Sequence, residues 1–112
     1  MKEINAYVHR NRVADVIAAL KTSPSWTAVG KGSQHNLAIY MVKGSLMPLD
    51  NDERHYSLDL GDEVVNEYKL ELLCEDTDVD ELVSAICTAA QTGQPNAGRV
   101  TVTDITRAVP IP

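Results

Sequence analysis

The chain has no phenylalanine, and its four tyrosines and single tryptophan bring the aromatic content to only 4%. A platform on which nucleic-acid bases could stack is therefore poorly supplied, and the core must be built from Val, Leu, Ile, Ala and Met. Positive charge is scarce too: ten Lys and Arg stand against sixteen Asp and Glu, a formal charge of -6. That balance repels polyanions and argues against nucleic acid or anionic lipid as the main partner. No apolar run approaches the roughly 18 residues of a membrane span, so no direct membrane insertion is expected. The opening Met1-Lys2-Glu3-Ile4-Asn5 lacks the apolar stretch of an export signal, which makes a cytoplasmic location the expectation. Cys74 and Cys87 are too few for a disulfide framework and read as reduced, partly buried thiols.

What is present fits one small domain spanning residues 1–112, with 44% hydrophobic and 23% charged residues. The charge is unevenly placed. Residues 1–44 carry six bases and two acids, residues 45–81 two bases and thirteen acids, and residues 82–112 two bases and one acid. One strongly acidic segment thus lies between two mildly basic ones.

From Glu3 to His9 the chain alternates, with Ile4, Ala6 and Val8 on one face, which predicts a half-buried strand. Val13, Val16, Ile17 and Leu20 then recur at helical spacing, with Asn11 as the expected N-cap and a stop near Thr22-Ser23-Pro24. Residues 25–35 read as a loop or an irregular strand start, and the apolar run Leu37 to Val42 as an interior strand. Between Ser45 and Asn66 the pattern dissolves, and a connection of that length is usually functional or mobile.

Tyr68, Leu70, Leu72 and Cys74 mark a third strand. Thr77 is the expected cap of a second helix with Val79, Leu82, Val83, Ile86 and Ala90 as its buried stripe, and Gly93 as its C′ stop. Val100, Val102, Ile105 and Val109 mark a last strand, ended by Pro110 and Pro112. Val13 to Leu20 matches Val79 to Ile86 position by position in apolar character. Two similar halves in the order βαββαβ predict an α+β, ferredoxin-like split βαβ fold, an antiparallel sheet with two helices on one face. The other sheet face needs a cover, for which an oligomeric partner is the economical choice.

Catalytic signals are weak, and a non-enzymatic protein is expected. His9, His35 and His55 fall on a strand, a loop and the acidic connection, with no Ser or Cys at a recognisable spacing. Metal ligation has weak candidates in His35, His55 and Cys74, but no Cys-x-x-Cys or His-x-His pair accompanies them. An acylphosphatase-like reading would rest on Arg10 and Arg12 after the first strand, and lacks the Gly-rich turn such a loop needs. The stretch from Ala89 to Val102 is more informative: a helix ends, the chain turns through Gly93, Pro95 and Gly98, and Arg99 opens a strand. Backbone N–H groups in such a turn beside a cation can form an anion-binding concavity.

Thr88-Ala89-Ala90-Gln91-Thr92-Gly93, the following Gly98-Arg99 and the strand from Val100 resemble the helix, B-loop and fourth strand of the nitrogen regulatory PII signalling proteins. The opening Met1 to Ala6 and Val42-Lys43-Gly44 are similar to the same family, at matching distances from Tyr68-Lys69-Leu70-Glu71-Leu72. The resemblance implies a homotrimer that binds a small-molecule effector, an adenine nucleotide or another anion, in clefts between subunits. It implies that residues 45–66 are a T-loop that docks on a transporter or enzyme, and residues 92–99 a B-loop. Gly44, Gly93, Asn96, Ala97, Gly98 and Arg99 would line the phosphate side of the cleft. Asp50, Asp52, Glu53, Tyr56 and Asp59 would face a protein partner with a basic surface, such as a membrane transporter.

The departures from the family matter. Its Gly-Asp-Gly-Lys reads Asn96-Ala97-Gly98-Arg99, and its two late phosphate-binding arginines correspond to Pro110 and Pro112. Its magnesium- and oxoglutarate-linked glutamine falls at Pro48, its T-loop lysine at Glu67, and its modified tyrosine at Leu60. Losing two or three cationic contacts at about 1.5–3 kcal/mol each weakens triphosphate binding by orders of magnitude. ATP with oxoglutarate is therefore not the expected ligand pair; ADP, AMP, weakly held ATP, another small anion or no nucleotide at all stay open. The alternative expectation is metal-ion binding of the kind found in the CutA proteins, which share this architecture.

Overall fold

The computed structural model describes residues 1–28, 32–46, 48 and 53–112, with Gly32 and Ser33 as backbone only. Its strands are β1 (Lys2–His9), β2 (Ala38–Gly44), β3 (Arg54–Ser57), β4 (Asp62–Cys74) and β5 (Gly98–Asp104), and its helices α1 (Val13–Thr22), α2 (Pro24–Thr27) and α3 (Val79–Ala89). The sheet runs β2-β4-β1-β5 with every neighbouring pair antiparallel. Sequence-distant strands β1 and β4 form its centre, paired from Lys2 with Cys74 to His9 with Glu67. This is the split βαβ arrangement.

Strand alternation builds the core. Ile4, Ala6 and Val8 of β1 and Leu70, Leu72 and Cys74 of β4 point to one face, where Val16 and Leu20 of α1 and Leu82 and Ile86 of α3 cover them. Burying such side chains is worth about 1.5–3 kcal/mol each, which is what orders both helices on one face. Val79, Val83 and Ala90 of the predicted stripe lie at its partly buried rim.

Several local expectations are corrected. Arg12, not Asn11, occupies the α1 N-cap, and no side chain caps it. The Asn11 N–H instead donates to His9 Nδ1 at 3.1 Å, so the residue closes the turn out of β1. Residues 25–35 hold α2 and a 3-10 turn over Gly32–His35 where a loop or strand start was expected. The α3 N-cap is Asp78, because a 3-10 turn over Asp76–Asp78 absorbs Thr77. The C-cap of α3 is Ala90, and Gly93, with φ +83°, serves the following turn rather than stopping the helix. Regular pairing of the last strand ends at Asp104 opposite Lys2, where β1 runs out.

Two differences are larger. The run Leu37 to Val42 becomes an edge strand, β2, on which Met41 is 57% exposed. Ile39 and Tyr40 are exposed beside it. The expected patternless connection contains a hairpin: β3 pairs with the start of β4 from Arg54 with Val65 to Ser57 with Asp62. The Gly61 N–H donates to the Ser57 carbonyl at 2.8 Å and closes its turn. Val65 pairs with Gly44 as well as Arg54, so β3 extends the sheet on the β1 side of β4 while β2 holds the other side.

Candidate functional site

At one end of the sheet the ends of five strands converge: His9 of β1, Gly44 of β2, the residue before β3, the middle of β4 and the start of β5. Cross-strand register explains the meeting. Glu67 lies directly opposite His9 on one side and Val42 on the other, and Arg99 lies opposite Tyr7. Directly opposed residues on one face bring their β-carbons to about 4.5–5.5 Å.

Asn96, Ala97, Gly98 and Arg99 line one cleft of about 250 Å³, walled by Tyr7 and by Ile86 and Gln91 beyond it. Asn96 has φ +56°, a left-handed conformation that asparagine tolerates better than most residues. At Gly98 the strand passes so close to β1 that a β-carbon would collide with the Tyr7 carbonyl oxygen. The Arg99 guanidinium then lies over the Tyr7 ring, 4.7 Å from its centre. Lys69 continues the row, with its ammonium 5.5 Å from the Tyr7 ring and 5.3 Å from the Tyr40 ring. The face opposite the helices thus carries a row Tyr40, Lys69, Tyr7, Arg99 across all four main strands.

Gly44 and Gly93 do not join that cleft. Gly44 lies beneath Glu67, where a β-carbon would collide with both carboxylate oxygens, and Gly93 lies in the turn after α3. Glu67 is 5% exposed and its Oε2 accepts from the Leu46 N–H at 3.3 Å. Burial pushes the Glu67 carboxyl above its ordinary range, while the Leu46 N–H, the charge of Arg99 and the nearby His9 pull it back.

His9, 1% exposed, joins the strands to the hairpin. Its Nδ1 accepts from Asn11, so its Nε2 carries the hydrogen that faces the Glu53 carboxylate. Glu53 was expected on the partner-facing surface, yet its side chain is turned inward against His9. Tyr56 is 61% exposed and Asp59 lies in the exposed hairpin turn, with Leu58 at 89% beside it. Asp50 and Asp52 fall outside the described residues. His9 and Tyr7 are residues of this end of the sheet that sequence reasoning did not assign to the site; the signal for both is register, visible only once β1 is known to pair with β4 and β5.

The metal candidates are dispersed. His35 Nδ1 lies 2.8 Å from the Leu73 carbonyl and Nε2 3.3 Å from that of Ser25, and its ring stacks on Trp26. His55 pairs with Val64, about 33 Å along β4 from Cys74 at the usual strand rise. Burial raises the Cys74 thiol, holding it protonated, whereas metal binding needs the thiolate. Among the described residues no group of three or more His, Cys, Asp or Glu side chains is placed to hold a metal ion. A larger cavity of about 810 Å³ lies at the opposite end of the sheet, between the segment 108–111 and Met1, His35 and Cys74. It holds none of the residues of the converging strand ends.

Comparison with known proteins identifies the family. The family described as nitrogen regulatory protein P-II matches residues 1–111. Two archaeal relatives, nitrogen regulatory proteins P-II 1 and P-II 2 of Methanothermobacter thermautotrophicus, are each 26% identical over 111 residues, covering 99% of this chain and 89% of the relative. The match runs through both helices and the hairpin, and it leaves the CutA-like metal-binding alternative without support.

Proposed function

The chain belongs to the nitrogen regulatory protein P-II family, and from that premise we propose a non-enzymatic, homotrimeric regulator that senses a small effector and acts on a protein partner through residues 45–66. The whole-chain family match carries this reading, and the hairpin geometry gives it a physical form.

The effector site is the cleft of Asn96, Ala97, Gly98 and Arg99; within one chain Gly44 and Gly93 lie outside it. At about 250 Å³ the cleft within one chain is smaller than the usual ligand pocket. A second copy supplies the missing wall, and the uncovered apolar edge at β2 is suited to such a contact. Arg99 is the cation of the site, and its planar fork suits a phosphate. ADP or AMP is the expected ligand class, and ATP binds more weakly than in a site with several cations. Pro110 and Pro112 bring no charge to it.

The partner surface is the hairpin tip. Tyr56, Leu58 and Leu60 are exposed apolar side chains, and Asp59, Asp62 and Glu63 surround them with negative charge. A complementary partner has an apolar slot rimmed by Lys and Arg, as on the cytoplasmic side of a membrane transporter.

Calorimetry on the intact protein tests the effector reading. ADP or AMP is expected to bind at one site per chain, and Arg99→Ala to weaken it. Tight, magnesium-dependent ATP binding that 2-oxoglutarate strengthens is the result that overturns it.

A further inference from the structure

Glu67 sits among the parts of an anion site and fills it. Gly44 offers a bare backbone that lets a carboxylate press against it, where any β-carbon would collide. The Leu46 N–H donates to the Glu67 Oε2 at 3.3 Å. His9 lies directly opposite Glu67 in register, and Arg99 holds its guanidinium over Tyr7 one step along the same face. A glycine, a backbone donor and a cation are what proteins present to an external oxyanion. Here the oxyanion is the chain's own, 5% exposed and held in place.

We propose that Glu67 is a built-in occupant of an oxyanion pocket at the converging strand ends, competing with an external phosphate for the Leu46 N–H and the field of Arg99. It thereby selects against highly charged ligands in the neighbouring cleft. This rests on the reading of that cleft as an effector site, and gives it a selectivity mechanism. A second negative group brought within a few ångströms of a buried carboxylate is repelled, and more strongly the higher its charge. Removing the carboxylate leaves the glycine, the donor and the cation in place and lifts the repulsion.

Inorganic pyrophosphate is the probe, because it carries charge and no base. Titrated into the intact protein at about 50 mM salt, it is expected to bind at least ~10-fold tighter to Glu67→Ala than to the unaltered chain, with the gain shrinking as salt rises. Glu67→Gln, which keeps the shape and loses the charge, gives a smaller gain in the same direction. The gain disappears in the double variant Glu67→Ala, Arg99→Ala. Equal or weaker pyrophosphate binding by Glu67→Ala overturns the proposal, as does a gain that persists without Arg99. Should a melting curve show Glu67→Ala unfolded, Glu67→Gln decides alone, and no gain there overturns it.

ADP run in parallel separates this from the effector reading. A pyrophosphate gain with ADP no tighter than pyrophosphate keeps the pocket and overturns the adenine-nucleotide cleft. ADP bound by the unaltered chain, with no pyrophosphate gain in either Glu67 variant, keeps the cleft and overturns the pocket.

Discussion

The two halves of β4 make different kinds of structure from one continuous strand. From Glu67 to Cys74 it runs between β1 and β2, and Leu70, Leu72 and Cys74 are buried beneath the helices. From Asp62 to Val65 it forms the inner strand of a hairpin with β3, which projects Tyr56, Leu58 and Leu60 into solvent. The first half buries its apolar side chains beneath the helices; the second buries Val64 and Val65 too, but the β3 strand and turn built on it leave Tyr56, Leu58 and Leu60 exposed. Glu67 and His9 stand at the join, and Glu53, at the entrance to the hairpin, is held against His9. The contrast separates scaffold from presented surface, and substitutions on either side of the join should behave differently.

The largest effect is expected in the scaffold half. Leu72 is 1% exposed and packed under both helices, so Leu72→Ala leaves a cavity and costs about 2–5 kcal/mol. Out of a typical total of roughly 5–15 kcal/mol, that is enough to move the urea midpoint markedly. A change below about 1 kcal/mol would mean that the scaffold half is not the core.

At the join the expected effect is intermediate. His9→Ala removes the buried ring that meets the Glu53 carboxylate and accepts from Asn11, at a cost of about 1–3 kcal/mol. Hydrogen exchange reads the place of the damage: protection is lost first across Arg54–Ser57 and the paired Asp62–Val65, before the β1 and β4 core. Uniform loss over all strands would show that His9 serves the core and not the join.

The same division explains what could be read from the amino acids alone. Wherever apolar periodicity was set by burial within the chain, as in β1, α1, α3 and the Tyr68 to Cys74 stretch, element type and facing were legible. The hairpin was not, because the less exposed positions of Arg54–Ser57 are the polar His55 and Ser57, so its alternation carries no apolar signal. The β2 edge misled for the opposite reason: its apolar run is continuous, as in an interior strand, yet Ile39, Tyr40 and Met41 lie exposed at the sheet edge. In the candidate site, Asn96 to Arg99 could be proposed from turn chemistry and family likeness, since consecutive residues need no fold to be neighbours. Glu67 and His9 are 58 positions apart and became neighbours only through register.

Glu67→Gln should have a smaller effect, and one of opposite sign. Burial raises the Glu67 carboxyl above its ordinary 4.5, against the pull of His9 on β1, Arg99 on β5 and the Leu46 N–H. The folded state therefore holds its proton more tightly than the unfolded one, and stability falls as pH rises from about 4.5 through the raised folded value. The glutamine removes that penalty. Its melting temperature should match the unaltered protein at low pH and exceed it at neutral pH. A difference that shrinks with rising pH would reverse the assignment.

The smallest expected effect on folding lies at the hairpin tip, and its smallness gives it value. Leu58 is 89% exposed, so Leu58→Ser removes almost no buried area and should change stability by less than about 0.5 kcal/mol. An apolar side chain that folding does not use, next to Asp59 in the exposed turn, is costly to display unless something else buries it. The same substitution should therefore weaken capture of a partner while leaving the urea midpoint where it was. Loss of stability comparable to that of His9→Ala would place Leu58 in the scaffold after all. Unchanged stability with unchanged capture would move the contact from the tip to the acidic residues nearer the join.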